Sequence, residues 1–416
     1  MLRVTTAPRV DWRKTVESQG LSFHTLGGEA YWDESAYYLF ETAEIDAIEA
    51  ATYALDAMCQ EAVEHVVAED RLAEFDIPDE FHAFVKRSWE FDEHTIYGRF
   101  DLSFDGQGPP KLLEYNADTP TALLEAAVIQ WFWSKDLLSG LTSVDRPQFD
   151  QFNSIHERLI EAWARIRKDR GDRVAFTVMG DSLEDLMTVT YLRDTATQAG
   201  IKTESLAMHD LGWHAGRRVF TDLRERPLDL IFKLYPWEWM VREPFGRNLE
   251  TASTRWLEPP WKMILSNKAI LPILYELFPS SPYLLRAEFE PFGDTYVVKP
   301  AYSREGANVS IVVDGETVAE TGGEYTDGPH IYQEFHPLPD FGGKRPVIGS
   351  WIVNGNACGL GIREDDGLIT RNTSRFLPHL FRKASWVKPP AMVEGQTYPG
   401  GSAGESDPLW DRWLDK

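Results

Sequence analysis

The chain has 416 residues, 43% of them apolar and 26% charged, with a formal net charge of −24. That is enough chain for a globular core of two or three packed lobes. The acidic balance argues against nucleic acid as a partner, because phosphate-backbone binding needs a basic footprint. No apolar run of about 18 residues is present to span a membrane, and Met1–Gly20 lacks the apolar stretch of a signal peptide. Cys59 and Cys358 stand far apart with no C-x-x-C spacing, so neither a disulfide framework nor a structural zinc is expected, and a cytoplasmic location is the default.

Along residues 41–70, apolar side chains recur at three- and four-residue spacing without Gly or Pro, which predicts a long amphipathic helix with Met58 in its core. Pro78 and Asp79 open a shorter helix toward Trp89. Next come Arg99-Phe100-Asp101, the turn Asp105-Gly106-Gln107-Gly108-Pro109-Pro110, and Leu112–Asp118, which together read as a hairpin. Strand alternation puts Glu114 and Asn116 on one face and Leu113 and Tyr115 on the other. Asp101 can then lie beside Glu114, gathering three oxygen-bearing side chains suited to Mg²⁺, a hard cation that takes few protein carboxylates and fills its shell with water and phosphate. Arg99 shares that face and can fork onto phosphate or carboxylate oxygens. A helix from Thr121 to Leu138, begun by Thr119-Pro120, starts just past this cluster, which makes Thr119 and Thr121 candidate substrate contacts.

From Asp172 the pattern becomes β-α-β. Strands are predicted over Arg173–Gly180, 201–206 and 228–234, with a helix over Leu183–Ala199, which indicates a parallel sheet. Glu184 and Asp185 open that helix and are candidate contacts for an amine. The Gly-x-Gly-x-x-Gly of a Rossmann unit and a Walker Gly-Lys-Ser/Thr are both absent. The segment from Trp261 places Lys268 at a helix start, Lys299 on the strand Tyr296–Pro300, a polar loop over Ser303–Asn308 and a strand ending in Gln333-Glu334. Several short strands then run through Ile352, Leu360 and Leu368. A Lys inside an apolar strand needs an anion partner. The order of parts is a phosphate cation, a mobile lid and a hinge that can hold a base. Residues 395–407 are rich in Gly, Ser and Pro, and a loosely ordered tail is expected over 391–416.

Taken together, Tyr97-Gly98-Arg99-Phe100-Asp101, Leu113–Asp118, Asn267–Pro272, Val298-Lys299-Pro300 and Tyr332-Gln333-Glu334 resemble the synthetase module of the glutathionylspermidine synthase family. The resemblance runs from about residue 12 to residue 390. It implies an α+β, ATP-grasp-like fold with a permuted order of elements and an additional parallel α/β, preATP-grasp-like, segment. One module over 1–390 is expected, in approximate segments 1–150, 151–260 and 261–390. The implied activity is an ATP-dependent, ADP-forming ligation of a carboxylate to an amine through an acyl phosphate. By the same resemblance, Asp101, Glu114 and Asn116 would hold Mg²⁺ and Lys268 and Lys299 would contact ATP phosphates. Gln333 and Glu334 would flank the adenine, Arg304 would close from the lid, and Arg99 and Arg363 would stabilise oxyanions. The partners implied are a small or peptide-like carboxylate, glutathione among the candidates, and an amine.

Two departures from the family bear on this reading. The helical region begins within the first fifty residues, which leaves no room for an N-terminal amidase domain, and Cys59 reads as a core thiol. Arg375 stands where the family has an acidic residue, and a cation there would repel spermidine. The main alternative is a nucleotide-binding regulatory protein without turnover, and a kinase-like phosphoryl transferase is a third reading. Arg304 and Arg363 could instead pair with Glu305 and Glu364, and the oligomeric state is left open.

Overall fold

Tyr97–Ser103 and Lys111–Asn116 form an antiparallel hairpin in the computed structural model, which describes residues 1–141, 148–180, 182–325 and 328–383. The expectation for the 391–416 tail lies outside these residues. Asp101 sits opposite Glu114, Arg99 opposite Asn116, and Phe100 opposite Tyr115. Directly paired residues share a face, so the polar set is gathered on one side. Phe100 and Tyr115 stack on the other, with ring centroids 3.8 Å apart.

The hairpin is one edge of a five-stranded antiparallel sheet. Its remaining strands come from the end of the described chain: Arg345–Val353, Asn356–Asp365 and Arg375–Leu377. Here the expectation of several short strands is corrected. Two long apolar strands form, and Leu368 lies in the turn that follows them. They are long because they cross the sheet centre, buried on both faces along most of their length. The helix Thr42–Ala68 covers the apolar face with Ile45, Ile48, Leu55, Val63 and Val66, and its Thr52 hydroxyl meets that of Ser350 at 2.6 Å.

A second antiparallel sheet carries Tyr296–Pro300 between His330–Glu334 and Ser310–Val313. The predicted β-α-β stretch forms a parallel sheet in the order Arg255–Leu257, Leu230–Leu234, Arg173–Val178, Lys202–Ala207, with the helix Leu183–Gln198 after the Arg173 strand. Near the chain start, Ala36–Glu41 pairs in parallel with His379–Arg382, so early and late segments interleave. Among the described residues no helix is long and apolar enough to cross a membrane.

The helix expected from Thr121 starts later. Ala122 takes a left-handed φ of 63°, and helix begins at Leu123, runs through a π-turn over Glu125–Ile129 and becomes α-helical over Gln130–Ser139. Backbone geometry of this kind does not show in a sequence of good helix formers.

Candidate active site

Asp101 is the hub of the polar face. Arg99 donates to it twice, Nε to Oδ1 at 2.6 Å and Nη2 to Oδ2 at 3.1 Å, while Arg363 donates Nη2 to Oδ2 at 2.6 Å. Arg363 therefore faces the hairpin and not Glu305 or Glu364, because Arg363 and Glu364 alternate on their strand. Asn116 donates its amide to Asp101 Oδ2 at 3.1 Å and to Glu114 Oε1 at 3.2 Å. Gly349 lies opposite Asp101 on the neighbouring strand, and a Cβ there would stand 2.6 Å from Arg99 Cδ. That glycine leaves the room in which Arg99 turns onto Asp101.

Glu114 is ion-paired to Lys268 at 3.1 Å. Burial pushes its proton affinity up, yet Lys268, Lys299 and Arg363 outweigh burial and hold it well below the usual carboxylate range. Lys268 precedes the helix Ile270–Leu277 and also donates to the Ser303 carbonyl. Lys299 donates to the Leu113 carbonyl at 2.9 Å and to Gln333 Oε1 at 2.6 Å, and Gln333 returns Nε2 to the Leu112 carbonyl at 3.0 Å. Burial lowers the Lys299 ammonium to about 8, with Glu114 opposing and Lys268 assisting. Gln333 thus supports the lysine from below. The Glu334 carboxylate accepts from the Arg286 backbone N–H at 3.2 Å at the rim.

Two openings meet at this cluster. An apolar slot walled by Val297, Ile311, Phe335 and Val347 has Lys299, Gln333 and Glu334 on its lining. A polar cavity of about 560 Å³ lies on the other side, lined by Arg99, Thr119, Thr121, Glu184, Asp185 and Arg304 among others. Glu114, Lys268, Ser303 and Arg363 line both. The fold therefore brings every sequence-predicted site residue to one of two joined spaces.

Arg304 is ion-paired with Glu238 and sits 5.6 Å over the Trp239 ring. Gly306 packs so closely on the Thr370 carbonyl that a Cβ would approach it to 2.3 Å. The Ser303–Asn308 loop is thus already held across the junction.

Sequence reasoning missed a buried pair beside the cavity. Lys233 donates to Asp118 Oδ1 at 2.6 Å, and Asp118 Oδ2 accepts from the Trp237 N–H at 3.0 Å. A lone Lys in the apolar run Leu230–Leu234 is the same signal that flagged Lys299. Lys262, outside the motif order, is structural, paired with Glu258 at 2.8 Å and donating to the Tyr97 carbonyl at 2.7 Å. One expectation is revised. Arg375 does not line the cavity. It pairs with Asp366 at 2.6 Å and with Glu364 at 3.3 Å, on the face opposite Arg363. Its charge is locally compensated, so the expected repulsion of a polyamine loses its premise.

A family model described as glutathionylspermidine synthase preATP-grasp matches residues 3–382. A Haemophilus influenzae protein named "Putative acid--amine ligase" is 39% identical over 398 residues, which is 92% of this chain and 100% of the relative. The trypanothione synthetase of Crithidia fasciculata is 31% identical, covering 76% of this chain and 52% of its own. The bifunctional glutathionylspermidine synthetase/amidase of Escherichia coli is 30% identical, covering 82% and 58%. The chain thus spans the whole of the first relative but little over half of the other two. Among solved structures, a glutathione synthetase-like effector of Globodera pallida superposes with a TM-score of 0.52 at 12% identity, over 90% of this chain and 97% of that one. That likeness is one of fold alone, and it agrees with the mixed α/β, preATP-grasp description of the family model.

Proposed function

Because the chain belongs to the glutathionylspermidine synthase preATP-grasp family, we propose that it joins a carboxylate to an amine through an acyl phosphate, with ADP and phosphate released. It is an ATP-dependent ligase of the acid–amine class. The observation that carries the finer reading is the junction itself, where an apolar slot and a polar cavity share Glu114, Lys268, Ser303 and Arg363. Such a junction lets a γ-phosphate from the slot meet a carboxylate from the cavity.

The donor set fits Mg²⁺. Two carboxylates and an amide converge, and a half-turn of the Asn116 amide would present its oxygen beside them. Mg²⁺ held by Asp101, Glu114 and Asn116 would neutralise charge on the transferring phosphoryl oxygens. Lys268 and Lys299 would bind phosphates, and Gln333 and Glu334 would border the adenine. Arg99 and Arg363 would steady the acid carboxylate and the oxyanion that develops on it, and Arg304 would close the phosphate side. Thr119 and Thr121 would orient the acid. Glu184 and Asp185 give the amine a negative wall, and with Arg375 facing away a multiply charged amine is acceptable there. We further propose residues 1–390 as one synthetase module.

The test is ADP release measured against a panel of thiol tripeptides, amino acids and polyamines. Release that requires both an acid and an amine, with the amide found by mass spectrometry, supports the ligase. Release with one alone points to a phosphoryl transferase. Nucleotide binding without any turnover points to a regulatory protein.

A further inference from the structure

The proposed chemistry leaves the buried pair Lys233–Asp118 without a task. Lys233 stands in the strand Leu230–Leu234 of the parallel sheet, and it and Asp118 are 0% and 1% exposed. Its ammonium donates to Asp118 Oδ1 at 2.6 Å and to the Tyr235 carbonyl at 3.0 Å, and it lies 4.4 Å over the Trp237 ring. Asp118 Oδ2 in turn accepts from the Trp237 N–H at 3.0 Å. Stability does not call for such a pair. Taking two charges out of water is costly, and apolar side chains of similar volume are often as stable or more so. What apolar side chains cannot supply is direction, because only hydrogen-bonded groups hold named partners at set distances and angles.

The elements joined in this way are two arms of the site. On one side, Asp118 follows just past the strand Lys111–Asn116, whose Asn116 amide reaches Asp101 and Glu114. On the other, Tyr235 and Pro236 lead into the single helical turn Trp237–Met240. Trp237 is fastened at two points, its backbone N–H by Asp118 and its indole Nε1 by the Glu258 carbonyl at 3.1 Å. The next residue, Glu238, is 5% exposed and ion-paired with Arg304, and Trp239 lies under the same guanidinium. Asp118, Tyr235, Trp239 and Arg304 all line the polar cavity.

We propose that Asp118 and Lys233 form a positioning pair that sets where the lid cation Arg304 stands relative to the hairpin carboxylates. Both act through other residues. Held by the pair, Trp237 fixes the turn that carries Glu238, and Glu238 fixes where Arg304 waits beside the cavity. This rests on the ligase reading, in which the hairpin and Arg304 act on one transferring phosphoryl group. Such groups lose most of their effect when misplaced by about 1 Å, so a directed link between the two arms serves the reaction even though it adds nothing to stability.

The deciding experiment needs no substrate. Trypsin acting on the full-length protein cuts after Arg304 once that side chain leaves Glu238, whereas cutting after Lys202, an exposed residue of the same parallel sheet, reports general loosening. Asp118→Leu combined with Lys233→Met replaces the pair by apolar side chains. This variant is expected to melt within about 5 °C of the parent protein, while cleavage after Arg304 rises roughly tenfold relative to cleavage after Lys202. Glu238→Gln, which cuts only the last link, should raise that ratio by a similar factor. Asp118→Asn combined with Lys233→Met keeps an oxygen for the Trp237 N–H and should raise it less, by about threefold; it decides the matter if the Leu and Met variant does not fold. A ratio unchanged in the folded pair variants overturns the proposal, and so does cleavage after Arg304 that rises only in step with cleavage after Lys202. Failure of the ligase reading shows up separately, as the absence of ADP release with any acid and amine.

Discussion

Asp101 and Glu114 already carry cations: Arg99 and Arg363 on one, Lys268 on the other. Replacing either acid by its amide, Asp101→Asn or Glu114→Gln, keeps the shape and removes a hard oxygen charge. ADP release is expected to fall at least about a hundredfold with an unchanged circular dichroism spectrum. Near-normal release at limiting Mg²⁺ would remove the hairpin from the site. Lys299 makes a second, pH-dependent prediction. Its folded value is depressed to about 8, so the Lys299 charge proposed to bind phosphate is present below that pH and is lost as pH rises through it. ATP affinity, read by fluorescence titration, should weaken above about pH 8. Lys299→Met should raise the ATP Kd roughly ten- to hundredfold and abolish the pH trend, whereas the exposed Lys202→Ala should do neither. Lys299 was legible because a lone Lys in an apolar strand demands an anion. The burial of Asp118 was not, since an Asp just past a strand end ordinarily reads as solvent-facing.

The hairpin shows what sequence reveals of an element and what it conceals. Alternation and turn chemistry were enough to place Asp101, Glu114 and Asn116 on one face. The strand beside Asp101 was not legible, because pairing with Arg345–Val353 depends on residues far along the chain, and the role of Gly349 exists only in that pairing. Gly349→Ala should push Arg99 off Asp101. A drop in kcat of roughly tenfold or more is expected, with only a few degrees lost in Tm; unchanged kcat would mean that Arg99 is not held by this contact. Lys262→Ala, by contrast, strands the buried Glu258 that caps the start of the hairpin strand through the N–H groups of Ile96 and Tyr97. Chemical denaturation should show a loss of about 3–5 kcal/mol for that variant, the signature of a structural lysine.

For the whole molecule, composition bounded the class and the family resemblance implied the order of the elements. The interleaving of chain ends in one sheet was visible in neither. Arg363 and Asp101, in contact at 2.6 Å, are 262 positions apart in the chain. During synthesis the first strand of the hairpin therefore waits for its neighbour for roughly 10 to 50 seconds at ordinary elongation rates. Its apolar face can meet the long helix early, yet one backbone edge stays open for all of that time and invites pairing with another nascent chain. The parallel sheet has no such delay, since its strands are all made by Leu257. Ribosome-bound chains stalled just before Arg345 should accordingly resist protease across 173–257 and be cut within 97–116, and equal protection of both regions would show that the open edge is covered by other means. A translation pause before the last strands, or a chaperone engaged at that length, would therefore act directly on how many finished molecules carry the assembled Asp101–Glu114 hairpin.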